Sequence, residues 1–195
     1  MLAIQDTSEI NFTTTAKRRR GLGETAKGNV HGLLLHPMLA VDADNGICLG
    51  LVSGQVWTRT GRRTVPHDLR ELSDKESQRW IATALAAKPL LAGAAMVTAL
   101  GDRESDIFAL YASAAEQHFH VIARSMHDRK LADDSGLYVT CEAMAVVDQR
   151  AIVLPARAQR AERVAPLELR FGAVNLARPQ NKFLRHLPGS LPLTL

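Results

Sequence analysis

The sequence predicts an α/β domain with a mixed sheet, in the element order β-β-β-α-β-α-β, followed by part of a β-rich region. Apolar runs typical of strands come first, two segments with helical periodicity follow, and a short apolar run lies between those two segments. The chain has 195 residues, of which 46% are hydrophobic, so it is long enough for one domain with a sizeable core and an appendage.

Three antiparallel strands are predicted at the front of the chain. The first, LAIQDTSEINFTT, is rich in Ile, Phe and Thr and carries Asp6 near its start. The runs VHGLLLHPMLAVD and GICLGLVSGQVWTR follow, separated by a segment containing Asn45 and Gly46. Because an Asn-Gly pair favours a tight hairpin turn, we expect these two runs to pair with each other.

The helical part is predicted to begin in SDKESQRWIATALAAK, where Ser73 and Glu76 have the spacing of a capping box, and to end at Pro89. The run AAMVTAL is apolar on both faces and too short for a free-standing helix, which predicts a buried strand ending at Asp102. The segment ESDIFALYASAAEQ then predicts a second helix, and FHVIARS predicts a fifth strand.

This order of elements is that of the ribonuclease H-like fold, which we assign to residues 1–135. The short alternating segments SGLYVTCEAM, AIVLPARA and LELRFGAVNL predict a separate β-rich layer over residues 136–195. In open α/β sheets, sites form at the carboxyl ends of the strands. If the fourth strand lies beside the first, Asp102 and Asp6 become neighbours although about half of the chain separates them.

Charge, cysteine content and hydropathy limit the classes of function. Lys and Arg number 24 against 20 Asp and Glu, and this excess suits a phosphate-bearing partner without requiring one. No stretch reaches the roughly 18 apolar residues of a membrane span. The two cysteines, Cys48 and Cys141, lie far apart, as expected for reduced thiols. We therefore predict a cytoplasmic protein with no membrane partner.

Two neighbouring carboxylates repel each other unless a cation lies between them. Their oxygens suit Mg²⁺ or Mn²⁺, and two such cations about 4 Å apart are a recurrent device for attacking a phosphodiester. The alternative is structural, because an Asp between a strand and a helix commonly caps the helix, and Asp6 alone is typical of a solvated strand residue. Spacing alone leaves both interpretations of Asp6 and Asp102 open.

Sequence motifs add to this pattern. The segment IQDTSEINF around Asp6 resembles the first catalytic motif of bacterial DDE transposases of the insertion-sequence 4 type, in their Tn-five-like branch. GDRESDIF around Asp102 is similar to the second motif of that branch, Asp-Arg-Glu-Ala-Asp, with Ser105 in place of Ala. The segments DKESQRW, IARSMHDRK and SGLYV continue the resemblance in the same order along the chain.

The resemblance implies a metal-dependent catalytic core for DNA transposition. Asp6 and Asp102 would be two of three acidic ligands of a two-metal centre that uses Mg²⁺ or Mn²⁺. Glu104 and Asp106 would support that centre, either by orienting metal-bound water or by holding the first helical turn. For Asp106, an exposed first-turn position favoured by the helix dipole is the alternative.

The resemblance also implies double-stranded DNA as the partner, both the transposon ends and the target, in a nucleoid-associated protein whose full-length relatives act as homodimers. Arg124 would contact the DNA backbone, because a guanidinium can bind a phosphate through two N–H groups. His127, Arg129 and Lys130 are further candidates for DNA binding. The alternative for this basic group is a solvated exit from the strand, and the run Lys17 to Arg20 is open to the same two interpretations.

The resemblance is incomplete. The third acidic ligand of the family is a Glu in a Tyr, Arg, Glu, Lys motif that the sequence lacks, since no Arg follows three residues after Tyr138. We therefore expect the third ligand to lie outside this chain, the β-rich region to be truncated and the end-recognition domain to be absent, which predicts inactivity of the chain alone. A non-catalytic DNA-binding or interaction module and a stand-alone ribonuclease H-like nuclease remain alternatives.

Overall fold

The structure, a computed structural model, describes residues 1–12, 21–25, 30–59, 71 and 75–195. Contacts divide the chain into two compact units, Met1–Met126 and His127–Leu195, where the sequence analysis placed the boundary after residue 135. The basic run Lys17 to Arg20 and the capping residue Ser73 lie outside the described residues.

The first unit contains a seven-stranded sheet, counted over the described residues. Its strands are β1 (Leu2–Gln5), β2 (Ser8–Phe12), β3 (Gly23–Glu24), β4 (His31–Val41), β5 (Cys48–Trp57), β6 (Val97–Gly101) and β7 (Phe119–Ala123). Two helices accompany the sheet, α1 (Gln78–Ala87) and α2 (Phe108–Ala114), with a 3₁₀ turn at Arg103–Ser105 between β6 and α2.

The long strand β4 organises the sheet. One edge of β4 pairs with β5, while the other pairs with β1 and then with β2, all antiparallel. On its free edge β1 pairs in parallel with β6, which in turn pairs in parallel with β7. The sheet is mixed because it contains both antiparallel and parallel pairs, which confirms the predicted α/β class. Its strand order, β5-β4-β1-β6-β7, is compatible with the ribonuclease H-like fold.

The predicted first strand is wrong in one respect, because the structure breaks it into β1 and β2 at Asp6 and Thr7. The backbone N–H of Thr7 donates to Asp6 Oδ1 at 2.7 Å, and a local bond of this kind competes with the strand ladder. Opposite the break, β4 carries His36 and Pro37, and proline has no N–H to give to a ladder. The break leaves Asp6 at the carboxyl end of β1.

The hairpin between β4 and β5 forms at the predicted Asn-Gly pair. Gly46 has a φ of +75°, a conformation that glycine adopts without a steric cost, and its N–H donates to the Asp42 carbonyl at 2.9 Å. Asn45 Oδ1 accepts from the N–H of Ile47 at 2.9 Å, which closes the turn.

The core lies on one face of the sheet, beneath α1 and α2. Alternate residues of β4 point into it, and the helices contribute residues at the predicted spacing. Its buried side chains include Ala3, Leu34, His36, Met38, Ala40, Trp80, Ile81, Ala84, Val97, Ala99, Phe108 and Leu110.

The opposite face of the sheet carries an apolar row that crosses five strands. Strand register aligns Ile122 of β7, Leu100 of β6, Ile4 of β1, Leu39 of β4 and Leu51 of β5. Within the described part of the chain, 58% of Ile122, 39% of Ile4 and 63% of Leu51 remain exposed. The sheet is therefore covered on one face and open on the other.

The second unit contains α3 (Leu137–Ala143) and two hairpins, β8 (Val146–Leu154) with β9 (Arg163–Arg170) and β10 (Ala173–Ala177) with β11 (Ser190–Thr194). The prediction of a strand over SGLYVTCEAM is wrong, because α3 forms there. Asp128 Oδ1 accepts from the N–H of Tyr138 at 2.9 Å, so a side chain outside the helix satisfies one of the N–H groups of the first helical turn. No helix of the described residues is long and apolar enough to cross a membrane.

Candidate active site at the carboxyl ends of three strands

Three residues singled out from the sequence lie at one edge of the sheet. Ile4 aligns with Leu100 across β1 and β6, so Asp6 and Asp102, each two residues further on, occupy matching positions beyond the two parallel strands. Gly101 aligns with Ala123 across β6 and β7, which places Arg124 next to Asp102 in the same way. All three side chains are exposed.

Asp102 caps the turn that follows β6. Its Oδ1 accepts from the backbone N–H of Glu104 at 2.8 Å, and its backbone carbonyl accepts from Ser105 Oγ at 2.7 Å. This is the structural role that spacing alone left open. The cap also fixes the Asp102 carboxylate, and Oδ2 makes no hydrogen bond to any described residue.

Asp6 is held in a similar way. Its Oδ1 accepts from the N–H of Thr7, and its Oδ2 has no hydrogen-bond partner within the described ranges. Each of the two carboxylates therefore uses one oxygen to fix its own backbone and presents the other to solvent.

The charges at this edge are predominantly negative. Burial raises the pKa of the Glu104 carboxyl, and the charges of Asp102, Asp6 and Glu76 raise it further, whereas Arg59 opposes the effect. Since several carboxylates act on Glu104 together, a cation bound at this edge would relieve their mutual repulsion.

Arg59 and Glu76 form an ion pair that the sequence analysis missed. Arg59 Nε lies 2.8 Å from Glu76 Oε1 and Nη2 lies 2.7 Å from Oε2, a two-point contact. The hydrogen bond to Glu76 is the main cause of the raised pKa of Arg59. The predicted capping role of Glu76 is wrong, because α1 begins at Gln78, beyond Glu76. The pairing could not be found from spacing, since it joins the end of β5 to the approach to α1.

Behind the acidic edge lies a buried polar network that the sequence analysis also missed. His36 is fully buried, its Nδ1 lies 2.8 Å from Thr7 Oγ1, and its Nε2 lies 3.3 Å from Gln5 Oε1. Its ring packs edge-on against Trp80 with centroids 4.5 Å apart. These contacts fix the residues on either side of Asp6, so the position of the carboxylate depends on the core.

Asp106 has a structural role. It is 8% exposed, its Oδ2 accepts from the N–H of Met126 at 2.9 Å, and Tyr111 donates to its Oδ1 at 3.4 Å. The alternative of an exposed first-turn acid is wrong, because this carboxylate faces the chain leaving β7. It thereby holds the segment that carries Arg124.

Replacing Asp106 with alanine should lower the free energy of unfolding by about 2 kcal/mol, because the Met126 N–H loses a charged acceptor. Urea unfolding, compared with Asp44→Ala in the exposed turn after β4, measures the effect. Equal unfolding midpoints for the two variants would show that Asp106 does not hold this segment.

The remaining predicted DNA-binding residues lie in the second unit. Lys130 Nζ pairs with Asp134 Oδ1 at 2.9 Å, and its backbone carbonyl accepts from Ala177. The Arg129 carbonyl accepts from the N–H of Leu137, and His127 begins the unit. Of the four basic candidates, Arg124 alone belongs to the unit that contains the two carboxylates.

Two further observations bear on the site. Among the described residues, no group of three or more His, Cys, Asp or Glu side chains is arranged to hold a metal ion. No protein-family model matches the chain. Asp6 and Asp102, each with one oxygen left open, are the two carboxylates that the strand register brings to matching positions at this edge.

Proposed function

We propose that the chain belongs to the catalytic core of a DDE transposase with a ribonuclease H-like fold, in which Asp6 and Asp102 are two of the acidic ligands of a Mg²⁺ or Mn²⁺ centre for DNA phosphodiester chemistry. One observation carries the proposal. Parallel pairing of β1 with β6 brings the two motif aspartates to matching positions at one edge of the sheet.

The donor set supports this function. Asp6 and Asp102 would hold the cations through the oxygens that their backbone contacts leave open, and Mg²⁺ prefers oxygen ligands of this kind. Two divalent cations held by these carboxylates would supply the chemistry that activates water or a 3′-hydroxyl and stabilises the leaving oxygen. Since the proposed centre uses three acidic ligands and Asp6 with Asp102 supplies two, we expect these two residues to bind the metal weakly.

Other residues of the chain have separate tasks. Arg124 is exposed beside Asp102 and forms no ion pair with a described residue, so its guanidinium is available to bind a DNA phosphate. Asp106 fixes the segment that carries Arg124. The Arg59–Glu76 pair limits the negative charge near Glu104.

A second candidate function is a DNA-binding module without catalysis. The observation that favours it is that both aspartates serve the backbone, Asp102 through Glu104 and Asp6 through Thr7. In that case the carboxylates only shape the edge of the sheet, and DNA binding is independent of metal.

Calorimetric titration with Mn²⁺ tests the proposal, using the wild type, Asp6→Asn and Asp102→Asn. Asparagine keeps the oxygen that accepts the backbone N–H and removes the charge, so the fold is retained. We expect binding in the wild type and at least about tenfold weaker binding in each variant, because each loses one charged ligand. Asp44→Asn is the control and should bind like the wild type.

The two functions give different outcomes. Mn²⁺ binding lost in both variants, together with plasmid nicking abolished by Asp102→Asn if the chain nicks DNA, supports the transposase core. Absence of Mn²⁺ binding in the wild type, or binding unchanged by both substitutions, overturns it. Salt-sensitive DNA binding that ignores metal and both substitutions supports the non-catalytic module.

A further inference from the structure

The hairpin of β8 and β9 is exposed along nearly its whole length. Most residues of both strands are exposed, on both faces of the ribbon. They include large apolar side chains such as Val153, 59% exposed, and Val164, 62% exposed. An isolated two-stranded ribbon is marginally stable in water, so contacts with a partner would stabilise this hairpin.

The tip of this hairpin carries two arginines directly opposite each other. The N–H of Arg157 donates to the Arg160 carbonyl, and the N–H of Arg160 donates to the Arg157 carbonyl, both at 2.9 Å. Arg157 lies three residues after Leu154 and Arg160 three before Arg163, so the tip keeps the register in which Leu154 pairs with Arg163. Residues paired in this way project to the same face.

Two like charges in such a pair destabilise a hairpin. Elsewhere on the ribbon, Arg150 and Arg170 each pair with a carboxylate of their own strand, Arg150 with Asp148 at 2.9 Å and Arg170 with Glu168 at 2.5 Å. Arg157 and Arg160 form no ion pair with any described residue, Glu162 included. Two uncompensated positive charges side by side at an exposed tip suit a partner that supplies negative charge.

We propose that Arg157 and Arg160 bind the phosphate backbone of duplex DNA, with the hairpin of β8 and β9 acting as the arm that reaches it. Two neighbouring guanidinium groups on one face match closely spaced phosphates, each of which can accept two N–H donors. A two-stranded ribbon also has the width that the major groove admits. The choice of DNA over other polyanions rests on the proposed function.

Fluorescence anisotropy with a short labelled duplex, in EDTA and over a series of KCl concentrations, tests the arm. The test variant is Arg157→Gln with Arg160→Gln. The control is Arg150→Gln with Arg163→Gln, which removes the same charge from the opposite face of the same ribbon. We expect the tip variant to bind the duplex about tenfold more weakly. The slope of log K against log [KCl] should also become shallower by about 1.8, the value for two phosphate contacts.

The control pair should change affinity by less than about threefold, because its arginines make no phosphate contact. The proposal that the hairpin binds DNA is overturned if the two variants lose DNA affinity equally, if the tip variant loses none, or if the wild type does not bind DNA. Anionic phospholipid vesicles serve as a second ligand, and binding of vesicles but not of DNA through Arg157 and Arg160 also overturns it. EDTA removes divalent cations from this measurement. Its result is therefore independent of whether Asp6 and Asp102 bind Mn²⁺, so the two proposals can fail separately.

Discussion

Gly101→Ala should lower the free energy of unfolding by about 3 kcal/mol, which is at the upper end for overpacking a core. A Cβ at this position would lie 2.9 Å from Trp80 Cζ3 and closer still to the buried side chain of Ser105. Neither neighbour can withdraw easily, because Trp80 is 3% exposed and Ser105 is tied to the Asp102 carbonyl. Urea unfolding followed by circular dichroism measures the change.

Gly93→Ala is the matched control, since a Cβ there meets nothing within 4 Å. Its unfolding free energy should stay within about 0.5 kcal/mol of the wild type. The substitution at Gly101 should also weaken any Mn²⁺ binding, because the clash displaces the turn that orients Asp102. Similar midpoints for the two alanine variants would mean that the packing around Ser105 can relax.

Acidification should destabilise the protein through His36. Burial, and to a lesser extent the charge of Arg79, lowers the pKa of His36 from 6.5 to about 4. Well above pH 6.5 the ring is neutral in both states and its contribution to stability is complete. As the pH falls from there towards 4, the unfolded chain takes up a proton that the folded protein excludes, which costs about 3 kcal/mol.

To isolate this effect, the unfolding free energies of the wild type and His36→Leu are measured at neutral pH and near pH 4, the pKa of His36 in the folded protein. The variant should be less stable at neutral pH, because Thr7 and Gln5 lose their partner, but it should lose about 3 kcal/mol less on acidification. The control His120→Gln, at an exposed position of β7, should lose as much unfolding free energy on acidification as the wild type. Parallel pH profiles for the wild type and His36→Leu would exclude His36 as the source.

Much of the sheet could be predicted because its signals are local. The Asn45-Gly46 turn, the alternation along β4 and the short apolar run of β6 each follow from neighbouring residues. The break between β1 and β2 was missed because it depends on Pro37 in another strand. The α3 error has a similar cause, since the turn that starts this helix is held by Asp128, outside the helix.

At the candidate site, strand ends were predictable and side-chain partners were not. A motif aspartate after a buried strand places Asp102 at the sheet edge, and parallel pairing then brings it beside Asp6. The ion pair of Arg59 with Glu76 and the network around His36 depend on which elements meet in space. No spacing rule contains that information, because these contacts join residues from different elements.

The position of β1 in the sheet has a consequence for how the protein is made. One edge of β1 pairs with β4, which ends at Val41, but the other pairs with β6, which begins only at Val97. Pairing over so long a separation is slow, because the intervening chain must close a large loop first. While the ribosome produces that stretch, the free edge of β1 is open to other nascent chains. We therefore expect the yield of folded protein to depend on how quickly the segment at Val97 reaches its place beside β1.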